Sequence, residues 1–314
     1  MKNKIKLKNG VLACAILLLS ASVQAEVLVI LPESGPMARA GFSIRQGIES
    51  AHRLSGSHIE LKFVNSDQQS IKSILKQHVS SSTQMIIGPV ARSDIETLIA
   101  ENPRPLVLAL NEVDSKKANI IQFSLSKDAD AKALIDQFNK DQLSKLYILS
   151  QPEKANDSAG LRKALKENYR GQLVELYRLP SQLEAQAGLL LLGDNQWLNS
   201  LSSLPSNRVY TLTNAIEDAG TLPKGIKFCD VPAIYSTYWK DVVQAYRANP
   251  VNMSYQRLIA FGGDSWQLAE YMIRHPQINH MNLSGRTGRL VILGNKIERK
   301  PQCFLYNGKT VEFL

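Results

Sequence analysis

The sequence predicts an α/β protein of two lobes, each a mainly parallel sheet flanked by helices. Three observations carry this. Short apolar runs alternate regularly with amphipathic stretches from residue 27 to residue 273. Turns bearing glycine and proline separate them, as at Ser34-Gly35-Pro36 and Gly88-Pro89. The rhythm is broken near 124–128, where one set of strands ends and a second begins. Such alternation implies parallel strands covered by helices on both faces. Two sets imply two lobes with a cleft between them.

The elements follow in order. The first lobe reads as strand 27–31, helix 38–54, strand 60–64, helix 70–80 and strand 84–87. Helix 93–101 follows, with Ser93 or Asp94 near its N-cap, then strands 105–110 and 120–125. The second lobe reads as helix 128–140, strand 145–149, helix 158–169, strand 172–179 and an apolar helix over 182–192. Short strands at 209–213 and 226–230 lead into helices 239–248 and 255–273. The tail, 285–314, is strand-rich and punctuated by glycine. The lobes are therefore expected at 26–125, completed by about 252–280, and at 126–251, with C-terminal strands about 285–314.

The first residues bear on the compartment. Lys2, Lys4, Lys6 and Lys8 precede an apolar run over 11–21, and Val23-Gln24-Ala25 offers a cleavage site. The run is shorter than the roughly 20 residues a spanning helix needs, so residues 1–25 read as a cleavable export signal. Cys14 sits in Val11-Leu12-Ala13-Cys14, which resembles a lipidation site, but the main apolar stretch follows it rather than precedes it. Lipoprotein anchoring at Cys14 is the less favoured reading, and a periplasmic destination the favoured one.

Removing the leader leaves 33 basic and 28 acidic residues. The excess is mild, and no basic block or basic-aromatic interleaving points to nucleic acid. Cys229 and Cys303 remain as a matched pair in an oxidising compartment. A bridge would close a long loop, worth roughly 4 to 5 kcal/mol in the chain-entropy model. Two buried free thiols are the alternative.

No catalytic constellation emerges. His52, His58, His78, His275 and His280 form no HExxH or similar spacing, and there is no CxxC. Gly263-Asp264-Ser265-Trp266-Gln267 lacks the second glycine of a nucleophile elbow. Gly285-Arg286-Thr287-Gly288 lacks the length and lysine of a phosphate loop and reads as a hairpin turn. The chain is read as non-enzymatic, with no metal or cofactor.

Several turns should converge at one edge of the first sheet. Ser34, Gly35 and Pro36 follow the first strand; Gly88, Arg92 and Ser93 follow the third; Asn111 and Glu112 follow the fourth. Small ligands bind at such edges, and free N–H groups at helix starts suit a carboxylate. The same residues also serve as plain turn and cap formers. Asp264 is either the acidic partner of a ligand amine or, as favoured, the N-cap of helix 265–273.

These segments carry a resemblance. The opening VLVILPESGPMARAGFSIRQGIESA, then IIGPVARSDIETLI, LALNE, AFGGDSWQLAEYM, GRTGRL and the closing YNGKTVEFL are similar to the LppC family of type 1 periplasmic binding proteins. More narrowly, they resemble the C-terminal domain of that family's penicillin-binding-protein activators. The resemblance implies a Venus-flytrap fold with three hinge crossings. It implies a periplasmic protein that stimulates peptidoglycan synthesis by contact with a bifunctional penicillin-binding protein. Departures are expected in the absence of a helical-repeat domain before the first lobe and of a lipid anchor. In the broader class, Ser34, Ser93 and Asn111 match cleft turns and Asp264 the late-helix acid. The alternative function is a solute-binding protein for an amino acid or similar small polar ligand.

Overall fold

The structure is a computed structural model that describes residues 25–152, 159–201, 203–205, 208–217, 220–276 and 280–314. The leader's Lys2 to Gln24, with Cys14, and Ser158 lie outside the described residues.

Five apolar runs build the first sheet. Strands β1 (Glu26–Leu31), β2 (Glu60–Asn65), β3 (Thr83–Ile87), β4 (Leu106–Ala109) and β5 (Ile120–Gln122) lie in the order β2-β1-β3-β4-β5, all parallel. β1 and β3 are buried on both faces, which is why they read as continuous apolar runs. Helix α1 (Ala38–Ser55) covers one face, and α2 (Ile71–His78) and α3 (Arg92–Glu101) the other. Ser70 caps α2 by accepting from the Ser73 amide. Gly56, in the left-handed region, closes α1.

The second sheet repeats the plan. Strands β6 (Lys145–Ser150), β7 (Gln172–Leu176), β8 (Ala187–Leu192), β9 (Val209–Thr211) and β10 (Ile226–Asp230) lie in the order β7-β6-β8-β9-β10, again parallel. With helices α4 (Lys127–Lys140), α5 (Ala159–Asn168) and α6 (Asn195–Ser200), they form the second lobe. The expected apolar helix over 182–192 is in fact β8. All six of its residues are buried, and a short run with no polar face has no period to separate strand from helix.

The chain then returns. Helices α7 (Lys240–Ala248) and α8 (Met253–Arg274) pack on α1 and complete the first lobe. The contact between α1 and α8 is made by glycine. A Cβ on Gly47 would overlap the Ile259 carbonyl oxygen, and one on Gly262 would overlap that of Ile44.

The tail corrects the expectation for 285–314. Strands β11 (Asn282–Gly285), β12 (Gly288–Leu293) and β13 (Lys296–Lys300) extend the first sheet beside β5. Only β14 (Gln302–Tyr306) and β15 (Val311–Phe313) join the second, beside β10. Both sheets end in an open strand, and alternation within a hairpin does not say which edge it joins. The chain thus passes between lobes three times, at 123–126, 231–239 and 301.

Candidate functional site

A cavity of about 600 Å³ lies between the lobes, at the carboxyl edge of the first sheet. Met37 and Ile44 of α1 and its approach, Val90, Leu110, and Leu258 and Phe261 of α8 form apolar walls. Arg92, Asn111, Glu112, Ser124, Lys127 and Asp128 supply the polar ones. Both sheets carry the 2-1-3-4-5 order whose strand ends form ligand crevices, so the location follows from topology.

Two of the expected cleft residues, Arg92 and Asn111, line this cavity. Arg92 is exposed at the first turn of α3. Asn111 spends its side chain on the backbone: its amide donates to the Val90 carbonyl at 3.1 Å, and its oxygen accepts from the Glu112 amide at 2.9 Å. Asn111 therefore ties the β3 and β4 turns together.

Ser34, Gly35 and Pro36 stand apart from the cavity's lining. Ser34 is engaged with the turn after β2, its amide donating to Asp67 at 3.1 Å and its hydroxyl accepting from Asn65 at 3.2 Å. Ser93 is exposed and is not a cap; Ala91 holds the N-cap position of α3. Gly88 is a backbone requirement. It has φ +96°, and a Cβ there would strike the Ile30 carbonyl oxygen of β1.

Asp264 is neither a cap nor part of the cleft lining. Helix α8 runs through it without a break, and it is fully buried. Its carboxylate accepts from the Arg286 amide at 2.6 Å, the Thr287 amide at 2.8 Å and the Thr287 hydroxyl at 2.6 Å. The GRTG turn is thereby pinned to α8, with the Arg286 guanidinium also bonded to Asp241 and Gln267. Burial pushes the Asp264 carboxyl above its ordinary range, against the pull of Arg286 and Thr287.

Glu112, beside Asn111 in the expected cleft turn after the fourth strand, also lines the cavity. It accepts from the Ser124 hydroxyl at 2.6 Å and from Lys296 at 3.2 Å. Burial works against its charge, but the Ser124 and Lys296 hydrogen bonds prevail and hold the carboxyl below its ordinary range. At α4, Ser126 accepts from the Ala129 amide, and Asp128 and Asp130 occupy the first turn. The positive end of α4 is thus already matched by its own acids. The signal for Glu112 was its place in the turn after β4, and for the α4 residues their place at the first lobe crossing. Their pairing with residues over 170 positions away, as in Lys296 with Glu112 or Arg299 with Ser126, was beyond local pattern.

Buried ion pairs join the lobes behind the cavity. Arg299 of β13 bonds Asp130 of α4 at 2.6 Å, and Arg257 of α8 bonds Asp230 of β10 at 2.6 Å. Cys229 and Cys303, paired across β10 and β14, are joined by a disulfide within the second lobe. It ties the last strands to β10, not one lobe to the other.

Comparison with known proteins places this geometry. Residues 13–155 match the family described as "LppC putative lipoprotein". The chain is 27% identical to the penicillin-binding protein activator LpoA of Haemophilus ducreyi, over 91% of this chain and 54% of that protein. It is 24% identical to that of Glaesserella parasuis, with the same coverage of 91% and 54%. The chain thus spans about half the length of these curated relatives. Among solved structures, the LpoA C-domain of Haemophilus influenzae, described as a regulator of PBP1A, superposes with a TM-score of 0.73 at 18% identity, covering 92% of this chain and 100% of that one. The isoleucine complex of the branched-chain amino acid binding protein LivJ of Streptococcus pneumoniae superposes at 0.53 and 14% identity, covering 93% and 99%. The fold is the two-lobed type 1 periplasmic binding protein fold.

Proposed function

From the chain's LppC match and its likeness to LpoA, we propose that this is a non-catalytic periplasmic protein that stimulates peptidoglycan synthesis by contact with a bifunctional penicillin-binding protein. The observation that carries this reading is the similarity to named activators across 91% of the chain. The leader at 1–25 supports export, and cleavage there is part of the proposal. So are lobe boundaries near 125 and 231, with 240–300 completing the first lobe.

The cleft's chemistry supports a role by contact. Glu112 is bonded by Ser124 and Lys296, Asn111 is spent on backbone, and the start of α4 is matched by its own acids. Arg92, Lys127 and Asp128 remain, and all three are exposed rather than buried in a built ligand pocket. Cross-linking in cells should retrieve a bifunctional synthase, and the purified protein should raise that synthase's glycan polymerisation or cross-linking rate. No enrichment and no change in either rate would overturn the reading.

A second reading, capture of an amino acid or similar small polar solute, draws on the size and apolar walls of the 600 Å³ cavity. A bound solute should raise the melting temperature by mass action. A panel of amino acids and small anions that leaves it unchanged would remove this reading.

A further inference from the structure

A second cavity, of about 400 Å³, lies where the lobes join, walled by α4 of the second lobe, β11 and β12 of the first, and the crossings at 231–239 and 301. Its charge sets it apart from the cleft. The cleft lining is balanced, with Arg92 and Lys127 against Glu112 and Asp128. Here Lys140, Arg289 and Lys300 stand against a single acid, Asp136, which is already paired with Lys300 at 2.5 Å. Lys140 and Arg289 are exposed. Arg289 donates to the neutral Asn282 side chain, and neither cation has an ion-pair partner among the described residues.

Aromatic residues border the same cavity. Tyr238 is 78% exposed and Phe313 59%, and rings beside arginine are the composition that marks interface cores. The Arg286 guanidinium lies 4.8 Å from the partly buried Trp239 ring, and Asp241 and Asp264 hold that arginine in turn. This wall is fixed before anything binds, which lowers the entropy cost of binding. Phe313 also belongs to β15, the edge strand of the second sheet. The Leu314 amide donates to the Cys303 carbonyl at 3.0 Å, so the alternation of an antiparallel pair turns the N–H and C=O groups of Val311 and Phe313 away from β14. They form an open edge of the kind to which an extended chain adds.

We propose that this face docks an acidic, extended segment of a partner polypeptide. The segment pairs with β15, sets an apolar side chain into the cavity against Tyr238 and Trp239, and places carboxylates on Lys140 and Arg289. The unmatched cations select an acidic partner, and the open strand edge selects a polypeptide. A flat anionic membrane meets the cations but neither enters the cavity nor pairs with a strand edge. The inference rests on the reading that the protein works by contact with a bifunctional synthase, and it supplies the surface for that contact.

The test measures binding of the full chain to a purified bifunctional penicillin-binding protein by biolayer interferometry at low and high salt. Tyr238→Ala is expected to weaken binding about tenfold, as truncation of an aromatic anchor does. The double charge reversal Lys140→Glu with Arg289→Glu should weaken it about tenfold at low salt and much less at high salt. All three side chains are exposed, and unchanged melting curves would establish that the variants fold. A photo-reactive benzoylphenylalanine in place of Tyr238 should cross-link to an acidic segment of the synthase. One in place of Tyr177, 99% exposed beside β7 at the opposite edge of the sheet, should not. Wild-type binding with both variants unaffected, or cross-linking from position 177 alone, would overturn this proposal and leave the contact reading standing. So would binding to phosphatidylglycerol vesicles that the charge reversal abolishes while synthase binding stays intact. No binding by the wild-type chain would overturn both.

Discussion

Arg257 on α8 clasps Asp230 at the end of β10 with two hydrogen bonds, Nε to Oδ1 at 2.8 Å and Nη2 to Oδ2 at 2.6 Å. Arg257 belongs to the first lobe by its helix, and Asp230 is the last residue of the second sheet before the chain crosses back. The Tyr235 hydroxyl donates to the same carboxylate at 2.7 Å, and Arg257 also reaches the Thr213 carbonyl at 3.2 Å. Burial opposes the arginine's charge, but the Asp230 bonds prevail and raise its pKa further. With Arg299 and Asp130, this pair braces the hinge from two sides.

Breaking the clasp should be expensive. The Asp230 side chain is 1% exposed and that of Arg257 12%, so removing one partner strands a buried charge. Arg257→Met is expected to cost about 3–5 kcal/mol in urea unfolding, and pairing it with Asp230→Asn should recover part of that loss. Arg257→Lys should not restore the wild-type midpoint, because a point charge cannot reproduce the two-pronged bond. A single-variant loss below about 1 kcal/mol, the range of surface pairs, would show that the clasp does not brace the hinge.

The glycine contact between α1 and α8 makes a prediction of the opposite type, steric rather than electrostatic. Gly47→Ala and Gly262→Ala each place a methyl group where the facing helix has a backbone oxygen. Each should lose about 1–3 kcal/mol or more by forcing the helices apart. Gly160 on α5 has nothing within 4 Å of its would-be Cβ. Gly160→Ala should be neutral or gain up to about 1 kcal/mol from helix propensity. Thermal unfolding of the three variants checks the contrast, and equal shifts would reject it.

What the sequence made legible follows from how local each signal was. The parallel strands announced themselves because burial on both faces leaves them apolar, as in β1. The Gly88 turn was visible because a left-handed residue beside a neighbouring strand demands glycine. β8 failed for the same reason β1 succeeded, since a buried run of Ala-Gly-Leu-Leu-Leu-Leu shows no face. Asp264 failed because its partners, Arg286 and Thr287, lie more than 20 positions onward in a hairpin whose docking is tertiary. Ser34 was assigned by its place after β1, and the competing claim of Asp67 on its backbone amide lay outside that pattern.

The Asp141 site gives a pH prediction. Lys227 donates to its carboxylate at 2.6 Å, and the Tyr210 hydroxyl donates to the same oxygen. Burial opposes the charge, but these bonds prevail and hold the carboxyl below its ordinary range. A folded pKa below the unfolded one, about 3.9, means the unfolded chain binds the proton more readily. The stabilisation is therefore fully present above that value and is lost as pH falls through the lower folded one. Asp141→Asn should cost about 1 kcal/mol at pH 6, discounted for partial exposure, and should flatten the acid limb of stability against pH. Urea midpoints for both proteins between pH 2 and pH 6 decide the matter. Parallel curves would exclude Asp141 as a source of acid sensitivity.

Asp264 separates a structural role from a ligand-binding one. Its two oxygens accept from two backbone amides, a hydroxyl and a guanidinium, all donors. Asp264→Asn keeps the shape but turns one acceptor into an NH₂ group facing donors, leaving Arg286 and Thr287 short of partners in a buried setting. The expected loss is about 3–5 kcal/mol, as for a broken buried charge pair. The effect should spread outward, because the same aspartate fixes Arg286 and through it the Trp239 ring. Tryptophan fluorescence should thus shift at urea concentrations below the global transition, as the hairpin β11–β12 loosens first. If Asp264 instead served a ligand amine, Asp264→Asn would leave the unliganded protein's stability and fluorescence unchanged, and the anchoring role would fail.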